Sequence, residues 1–242
     1  MSEDMHSMRM KPTMMGWPFW LALSAMILIV VVSNYAVLQP FMGLEAMFGL
    51  LDEDGNPSFT FNYGQFTFPL AFLITDIVNR LFGAQFARLI AFIALVPAVA
   101  SSILINGWLP FPGDQSPWET AIWVGVASGT AFILGQLLDI TVFQRLRQQA
   151  WWVAPFVGSV IASAIDTSTF YAIAFCAKDW VLSAEYVDSV RKVTVVLTAP
   201  DWVLRAGLVD FAVKFTVAVV ALVPFRLVIA ASLSNRSATG AN

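Results

Sequence analysis

The sequence has very few of the residues that form disulfides, metal centres and charged surfaces. It contains one cysteine, Cys176, and one histidine, His6, which lies in a polar N-terminal stretch. A single cysteine excludes an internal disulfide or a cysteine metal cluster, and a lone terminal histidine excludes a histidine-based site within the chain. Charged residues make up 12% of the chain, about half of the roughly 25% that soluble domains contain. This composition argues against a soluble metalloprotein.

The motifs of several enzyme classes are absent as well. There is no Gly-x-x-x-x-Gly-Lys phosphate loop, which excludes ATP hydrolysis by that route, and there is no His-Glu-x-x-His zinc motif. An intramembrane enzyme that uses paired carboxylates is the weakest functional hypothesis, because no nucleophile has a base beside it. We predict no enzymatic activity, no catalytic residue, no cofactor and no metal site.

Long apolar runs dominate the chain instead. Hydrophobic residues make up 58% of it, and the mean hydropathy is +0.74. Such runs predict membrane helices, here at 17–38, 66–82, 88–109, 120–143, 152–176 and 205–229. The expected fold class is therefore all-α, a polytopic membrane protein with six transmembrane helices. Residues 17–232 form the predicted transmembrane domain, between an N-terminal tail at 1–16 and a disordered C-terminal tail at 233–242.

The basic residues are unevenly distributed between the two sides of these helices. With the N-terminus inside, eight lie on the cytoplasmic side: Arg9, Lys11, Arg80, Arg88, Arg145, Arg147, Arg226 and Arg236. Four lie on the outer side: Lys178, Arg191, Lys192 and Arg205. This excess predicts that both termini are cytoplasmic. The long outer loop at 40–65 is compatible with a short hairpin or with a re-entrant piece.

A tandem duplication precedes the last predicted helix. Asp179-Trp180-Val181-Leu182 recurs as Asp201-Trp202-Val203-Leu204, at an offset of about 22 residues. The second copy continues into a membrane helix. The first copy, at 179–200, lacks a long apolar run, and we predict an amphipathic helix at the outer interface. Whether this segment has a role or is a tolerated insertion stays open.

Aspartates inside the predicted membrane helices are the strongest functional signal. There are four: Asp76, Asp139, Asp166 and Asp210. A charge at bilayer depth costs several kcal/mol, so such residues usually face a polar cavity. Arg80 follows Asp76 by one helical turn, and Lys214 follows Asp210 in the same way. This i, i+4 spacing predicts two ion pairs.

Asp166 differs from the others because no base lies three or four residues away from it. Its partner is expected to be another helix, water, a ligand or a bound proton. We favour a ligand or a proton. Structural alternatives weigh equally for the remaining acids: Asp76 and Arg80 can neutralise each other, and Asp139 can be an interfacial carboxylate near the arginines that follow it.

These polar residues suggest three layers across the membrane. The outer layer contains Asn34, Asp210 and Lys214, Asp166 lies in the middle, and the inner layer contains Asp76, Asn79 and Asp139. Alternating access requires a layout of this kind, with a site near the midplane and gates on both sides. Asn34 can also serve only to hold two helices together.

Several short motifs, in a specific order and spacing, resemble the queuosine precursor transporter family, also called the VUT family. The resemblance covers about 17–230. It rests on Ser33-Asn34-Tyr35, Phe66-Thr67-Phe68-Pro69, Thr75-Asp76-Ile77, Gly135-Gln136-Leu137-Leu138-Asp139, Trp151-Trp152, Asp166-Thr167 and Val209-Asp210-Phe211 with Lys214. The chain departs from the family at Ser163, where many relatives carry Asn or Gln, and in the duplicated segment.

The resemblance implies a multi-pass protein of the bacterial inner membrane that imports 7-deazaguanine bases. These are precursors of the tRNA base queuosine, such as 7-cyano-7-deazaguanine and 7-aminomethyl-7-deazaguanine. It also implies a fold similar to the substrate-binding subunits of energy-coupling-factor vitamin transporters. The expected partners are a purine-like small molecule and the lipid bilayer, without nucleic acid, and a homodimer stays open.

A guanine-like edge presents an N–H group beside an exocyclic amine, and one carboxylate can accept hydrogen bonds from both. Our hypothesis is that Asp166 binds this edge. The other substrate-binding candidates are Asn34, Asp76 and Asn79, with Phe68, Phe72, Phe170 and Tyr171 as stacking partners for the flat ring. The gating and ion-pair candidates are Arg80, Gln136, Asp139, Asp210 and Lys214.

Two functions from different classes fit this pattern. The first is a secondary transporter or facilitator for deazaguanine bases. The second is a substrate-capture subunit of an energy-coupling-factor importer, for a nucleobase-like or vitamin-like ligand. Uptake after expression of this chain alone, in a host without the partner ATPase, would discriminate between them.

Overall fold

The computed structural model describes residues 16–40, 61–109, 117–176 and 201–239. Within these ranges the chain is almost entirely helical. The helices are α1 (Trp17–Ala36), α2 (Tyr63–Thr67), α3 (Leu70–Leu81), α4 (Ala84–Trp108), α5 (Pro117–Leu146), α6 (Val153–Tyr171) and α7 (Asp201–Thr239). One π-helical turn, Ala172–Cys176, extends α6.

Five segments in the described part of the chain are long and apolar enough to cross a membrane. They are Trp17–Ala36, Ala84–Trp108, Pro117–Leu146, Val153–Phe175 and Val203–Ser232. Large apolar side chains such as Leu28, Val96 and Leu208 are 63–71% exposed, which is expected where lipid replaces water. All-helical structure with an apolar exterior confirms a multi-pass membrane protein, whereas the orientation of its termini stays a prediction.

The second predicted span is broken rather than continuous. Asn62 and Gln65 form a capping box that starts α2, three residues before the predicted start. Pro69 separates α2 from α3, because proline lacks a backbone N–H. Phe68 and Pro69 nevertheless keep right-handed helical angles, so 63–81 extends over about 28 Å. Together α2 and α3 supply the sixth apolar segment.

The interior of the bundle lies among α1, α3, α4 and α5. Met26, Val30, Ile90, Ala94 and Ile140 are at most 1% exposed there. Helix α5 packs against both α4 and α6, while α7 packs against α6 and α3. The polar residues of α3, α5, α6 and α7 are therefore brought into the interior, facing one another.

Both ends of the described chain bear on the predicted boundaries. Helix α7 runs through Thr239, beyond residue 233, where the sequence predicts the start of a disordered tail. In the described part of this loop an antiparallel bridge joins Pro40 to Asn62, and Tyr63 already belongs to α2. The choice between a hairpin and a re-entrant piece stays a prediction. The rest of the outer loop, the duplicated segment at 179–200 and the N-terminal tail to 15 lie outside the described residues.

Candidate functional site

Lys214 of α7 lies between two carboxylates from different helices. Its Nζ is 2.7 Å from Oδ2 of Asp166 on α6 and 2.7 Å from Oδ2 of Asp210 on its own helix. It also donates to the hydroxyl of Thr167 at 2.9 Å, and that hydroxyl donates to Oδ2 of Asp210 at 2.6 Å. All three N–H donors of the ammonium group are therefore used. We call these four residues the lysine network.

The lysine network contains two carboxylates and one ammonium group, so it carries one excess negative charge. The predicted i, i+4 pair of Asp210 and Lys214 is confirmed. The partner of Asp166 is another helix, one of the alternatives left open by the sequence. Separate middle and outer layers for Asp166 and Lys214 are wrong, because the side-by-side packing of α6 and α7 places both residues at one level.

The side chains of this network differ in exposure. Those of Lys214 and Asp210 are 8% and 7% exposed, whereas that of Asp166 is 18% exposed. Of the two carboxylate oxygens of Asp166, Oδ2 is the one that Lys214 contacts. Asp166 is therefore the charged group of the network that is most accessible to a ligand.

A second pair of acids faces inward between α3 and α5. Asp76 is 2% exposed and Asp139 is fully buried, and their carboxyl groups approach adjacent residues of α6, Ser159 and Gly158. Ser159 of α6 donates a long hydrogen bond of 3.4 Å to Oδ2 of Asp76. Within the described residues, Oδ1 of Asp76 and both oxygens of Asp139 accept no hydrogen bond. We call Asp76 and Asp139 the acid pair.

Gly158 allows Asp139 to lie against α6. A Cβ atom at this position would be 2.7 Å from Oδ1 of Asp139, so any larger residue would displace the carboxyl group. The alternative of Asp139 as an interfacial carboxylate near Arg145 and Arg147 is wrong, since Asp139 has no exposed surface.

The predicted ion pair of Asp76 with Arg80 does not form. Arg80 donates through Nη1 to the carbonyl oxygen of Arg147 at 2.9 Å, and Arg147 donates through Nη2 to the carbonyl oxygen of Arg80 at 2.6 Å. Arg80 lies in the last turn of α3, and Arg147 directly follows α5. Carbonyl groups at helix C-termini attract cations, and here they compete successfully with the buried carboxylate.

The amide side chains mainly join helices. Asn34 donates to the carbonyl oxygen of Ala98 at 2.9 Å and to the hydroxyl of Ser101 at 2.7 Å. Both acceptors are on α4, so the helix-joining alternative is the one observed. Its amide donors satisfy groups of α4, away from α6 and α7.

Two further amides connect α3 to α5. Asn79 donates to the carbonyl oxygen of Ile140 at 3.2 Å and accepts from Gln144. Gln136 accepts from Thr75 through Oε1, and its Nε2 has no partner among the described residues. These contacts fix the position of the acid pair between the two helices.

One face of α6 connects the lysine network to the acid pair. Ser159, Ser163 and Thr167 follow one another at four-residue spacing and are 1–8% exposed. Ser159 contacts the acid pair and Thr167 belongs to the lysine network. The hydroxyl of Ser163 has no partner within the described residues. This spacing is visible in the sequence, but its significance depends on which face of α6 is buried.

A small cavity borders this face of α6. Its volume is about 10 Å³, which is room for about one water molecule. Its walls come from α3, α6 and α7. The lining residues are Pro69, Phe72, Leu73, Asp76, Pro155, Ser159, Ser163, Ala218, Ala221, Leu222 and Phe225. Asp76 and the two serines form its polar side, opposite the apolar residues of α7.

The aromatic candidates lie at different places around these groups. Phe72 lines the cavity. A Cβ atom at Gly135 would be 3.2 Å from the ring of Phe72 and 3.3 Å from Cβ of Asp166, so both residues approach the same glycine. Phe170 and Tyr171, with ring centroids 5.6 Å apart, lie about one turn beyond Asp166. Phe68 is half-buried at the α2–α3 junction.

The match to a family of known proteins extends over most of this architecture. Residues 62–229 match the model of a family described as "Putative vitamin uptake transporter". The matched part is more than half of the chain. The chain belongs to this family. The matched range, 62–229, includes the acid pair and the lysine network. Both therefore lie in the part of the chain that the family shares.

Two curated relatives are more specific. The chain is 39% identical over 156 residues to a Haemophilus influenzae protein named "Probable queuosine precursor transporter". This match covers 62% of the chain and 66% of the Haemophilus protein, just under two thirds of its length. It is 35% identical over 176 residues to the "Queuosine precursor transporter" of Escherichia coli, covering 69% of this chain and 73% of that protein. No solved structure matches. The family resemblance is confirmed, and it indicates a transporter rather than an enzyme.

Proposed function

We propose that this protein imports queuosine precursors across the bacterial inner membrane, with 7-cyano-7-deazaguanine and 7-aminomethyl-7-deazaguanine as substrates. The names of the two relatives support the substrate class. The observation that carries the binding proposal is the excess negative charge of the lysine network, together with the higher exposure of Asp166. A base edge with adjacent N–H donors complements such a group.

Asp166 is proposed to bind that edge of the base, while Lys214 holds the carboxylate of Asp166 in place. Lys214 contacts Oδ2, which leaves Oδ1 to accept from the base. The fixed ammonium orients the carboxylate, so little rotamer entropy is lost when the ligand binds. Phe72 approaches the same glycine as Asp166, which makes it the stacking partner that the geometry favours.

The proposal predicts that Asp166→Ala and Asp166→Asn strongly reduce uptake of the labelled base in a strain without its own importer. A hydrogen bond to a charged group contributes about 1.5–3 kcal/mol, so transport should fall roughly 10- to 100-fold. Both variants leave Lys214 paired with Asp210, and therefore create no unpaired charge that would impair folding.

Ser168→Ala is the matched control, because Ser168 lies on the exposed side of the same helix. It should transport at the wild-type rate. Normal uptake by Asp166→Ala at normal membrane abundance would contradict the role of Asp166. If the wild-type chain transports only when an ATPase and a scaffold subunit are added, the protein is a substrate-capture subunit instead.

A further inference from the structure

The acid pair is buried, and no described residue gives it a counter-ion. We propose that Asp76 and Asp139 bind one proton between them and that this proton is transported together with the substrate. The inference deepens the proposed function and rests on it, because it assigns the driving force of the same transporter. The argument depends on the geometry of the pair, on its surroundings and on the adjacent cavity.

The two carboxyl groups approach from different helices in a region without water-exposed surface. Asp76 is 2% exposed and Asp139 is fully buried. Asp76 contacts Ser159 and Asp139 lies against Gly158, the preceding residue of α6, so the two carboxyl groups are neighbours. Two neighbouring carboxylates repel each other strongly in a medium of low dielectric constant. One proton removes this repulsion and converts it into a hydrogen bond, since the protonated acid donates and the other carboxylate accepts.

No other described group neutralises the pair. The one charged side chain near it on α3, Arg80, is bound to the carbonyl oxygen of Arg147. Helix α5 contributes the amide of Gln136, and α6 contributes the hydroxyl of Ser159. From α7, the neighbouring wall of the cavity is apolar, and Lys214 is held by the lysine network.

The surroundings of the four carboxyl oxygens of Asp76 and Asp139 favour a bound proton over a metal ion. Three of the four carboxyl oxygens accept no hydrogen bond within the described residues. A metal cage would need more ligands, and the described part of the chain brings no three His, Cys, Asp or Glu side chains together. The cavity beside Asp76 has room for about one water. A proton needs neither additional ligands nor additional space.

In this proposal the proton reaches the pair through the cavity beside Asp76. The hydroxyl of Ser163 is 1% exposed, lacks a partner among the described residues and lines the same cavity as Asp76 and Ser159. A water in this cavity would contact all three groups. The proton enters from one aqueous side when the site opens there, and it leaves to the other side after substrate release. One proton then accompanies one substrate molecule.

The experiment uses the purified full-length protein in liposomes with radiolabelled 7-deazaguanine base. Substrate exchange without a gradient measures transport itself. Accumulation under a pH gradient, with the membrane potential clamped at zero, measures coupling. One co-transported proton predicts a substrate gradient of at most roughly tenfold per pH unit. In Asp139→Asn, an uncharged variant of nearly the same shape, exchange should remain measurable and pH-driven accumulation should be lost.

A second measurement does not depend on transport. The wild-type protein should show the infrared carbonyl band of a protonated carboxylic acid at neutral pH, and a variant with both Asp76→Asn and Asp139→Asn should lack it. Exchange without accumulation under a pH gradient would overturn the inference and leave the proposed function intact, as would accumulation driven by sodium alone. If the wild-type protein exchanges no base, the proposed function fails. Absence of the infrared band in the wild type would refute the bound proton, whatever the transport result.

Discussion

Replacing Lys214 with methionine is expected to destabilise the protein more than any other single substitution in its polar interior. The change removes the only cation of the lysine network and leaves Asp166 and Asp210 facing each other as unpaired acids. Removal of one partner from a buried ion pair costs about 3–5 kcal/mol. Thermal unfolding in detergent should show a large drop in melting temperature, and uptake should disappear.

The matched control is Arg205→Met, which removes a positive charge from an exposed position of the same helix. Its effect on the free energy of unfolding should stay within about 0.5 kcal/mol. Adding Asp166→Asn and Asp210→Asn to Lys214→Met removes both orphaned charges. The triple variant should recover most of the stability, but not uptake. An unaltered melting temperature in Lys214→Met would show that the three charges do not depend on one another.

The sequence predicts short-range features of this site well. The spacing of Asp210 and Lys214 on one helical face is sufficient to predict their ion pair, because i, i+4 side chains meet in any α-helix. The same rule fails for Asp76 and Arg80. Arg80 lies in the last turn of α3, where carbonyl groups without helical partners compete for its guanidinium group. The chemistry of helix ends overrides spacing at this position.

Contacts between helices are beyond such local rules. The pairing of Asp166 with Lys214, and that of Asp76 with Asp139, depends on how far each helix is shifted and rotated against its neighbour. Gly158 and Gly135 contribute to this register, since side chains approach both closely. The hydrophobic pattern of the sequence does not predict which aspartate will pack against a particular glycine of a neighbouring helix. The sequence therefore predicts which helices carry polar residues, whereas it does not predict that Asp166 and Lys214 lie at one level.

The fold itself follows from hydrophobicity in most places. Five of the six predicted spans correspond to continuous long helices, because apolar runs of this length have few alternatives in lipid. The exception is the span that contains Pro69, where α2 and α3 are separate helices. Its weaker hydrophobic signal reflects Asp76 and Asn79, whose polar side chains contact α6 and α5.

Replacing Gly129 with leucine is expected to disrupt the contact between α4 and α5. A Cβ atom at Gly129 would lie 2.4 Å from Cγ2 of Val99, and one at Gly125, a turn earlier on the same helix, would lie 2.5 Å from Cγ1 of Ile103. Small residues at four-residue spacing let membrane helices approach closely. Overpacking costs about 1–3 kcal/mol and occasionally more, and the leucine adds three further carbon atoms beyond Cβ. The yield of monodisperse protein and its melting temperature should both fall.

Val126→Leu provides the matched control, because Val126 lies on the same helix and is 47% exposed. It should have little effect on either measurement. Gly129→Ala combined with Val99→Ala tests the contact more directly, since the second change removes the methyl group that the new Cβ would meet. The double variant should be more stable than the sum of the two single changes predicts, as expected for residues in contact. If the effects of the two substitutions on stability are additive, the Cβ atom at residue 129 and the side chain at residue 99 do not limit the approach of α4 and α5. Because α5 carries Asp139 as well as Gly129, any shift of this helix should also reduce transport.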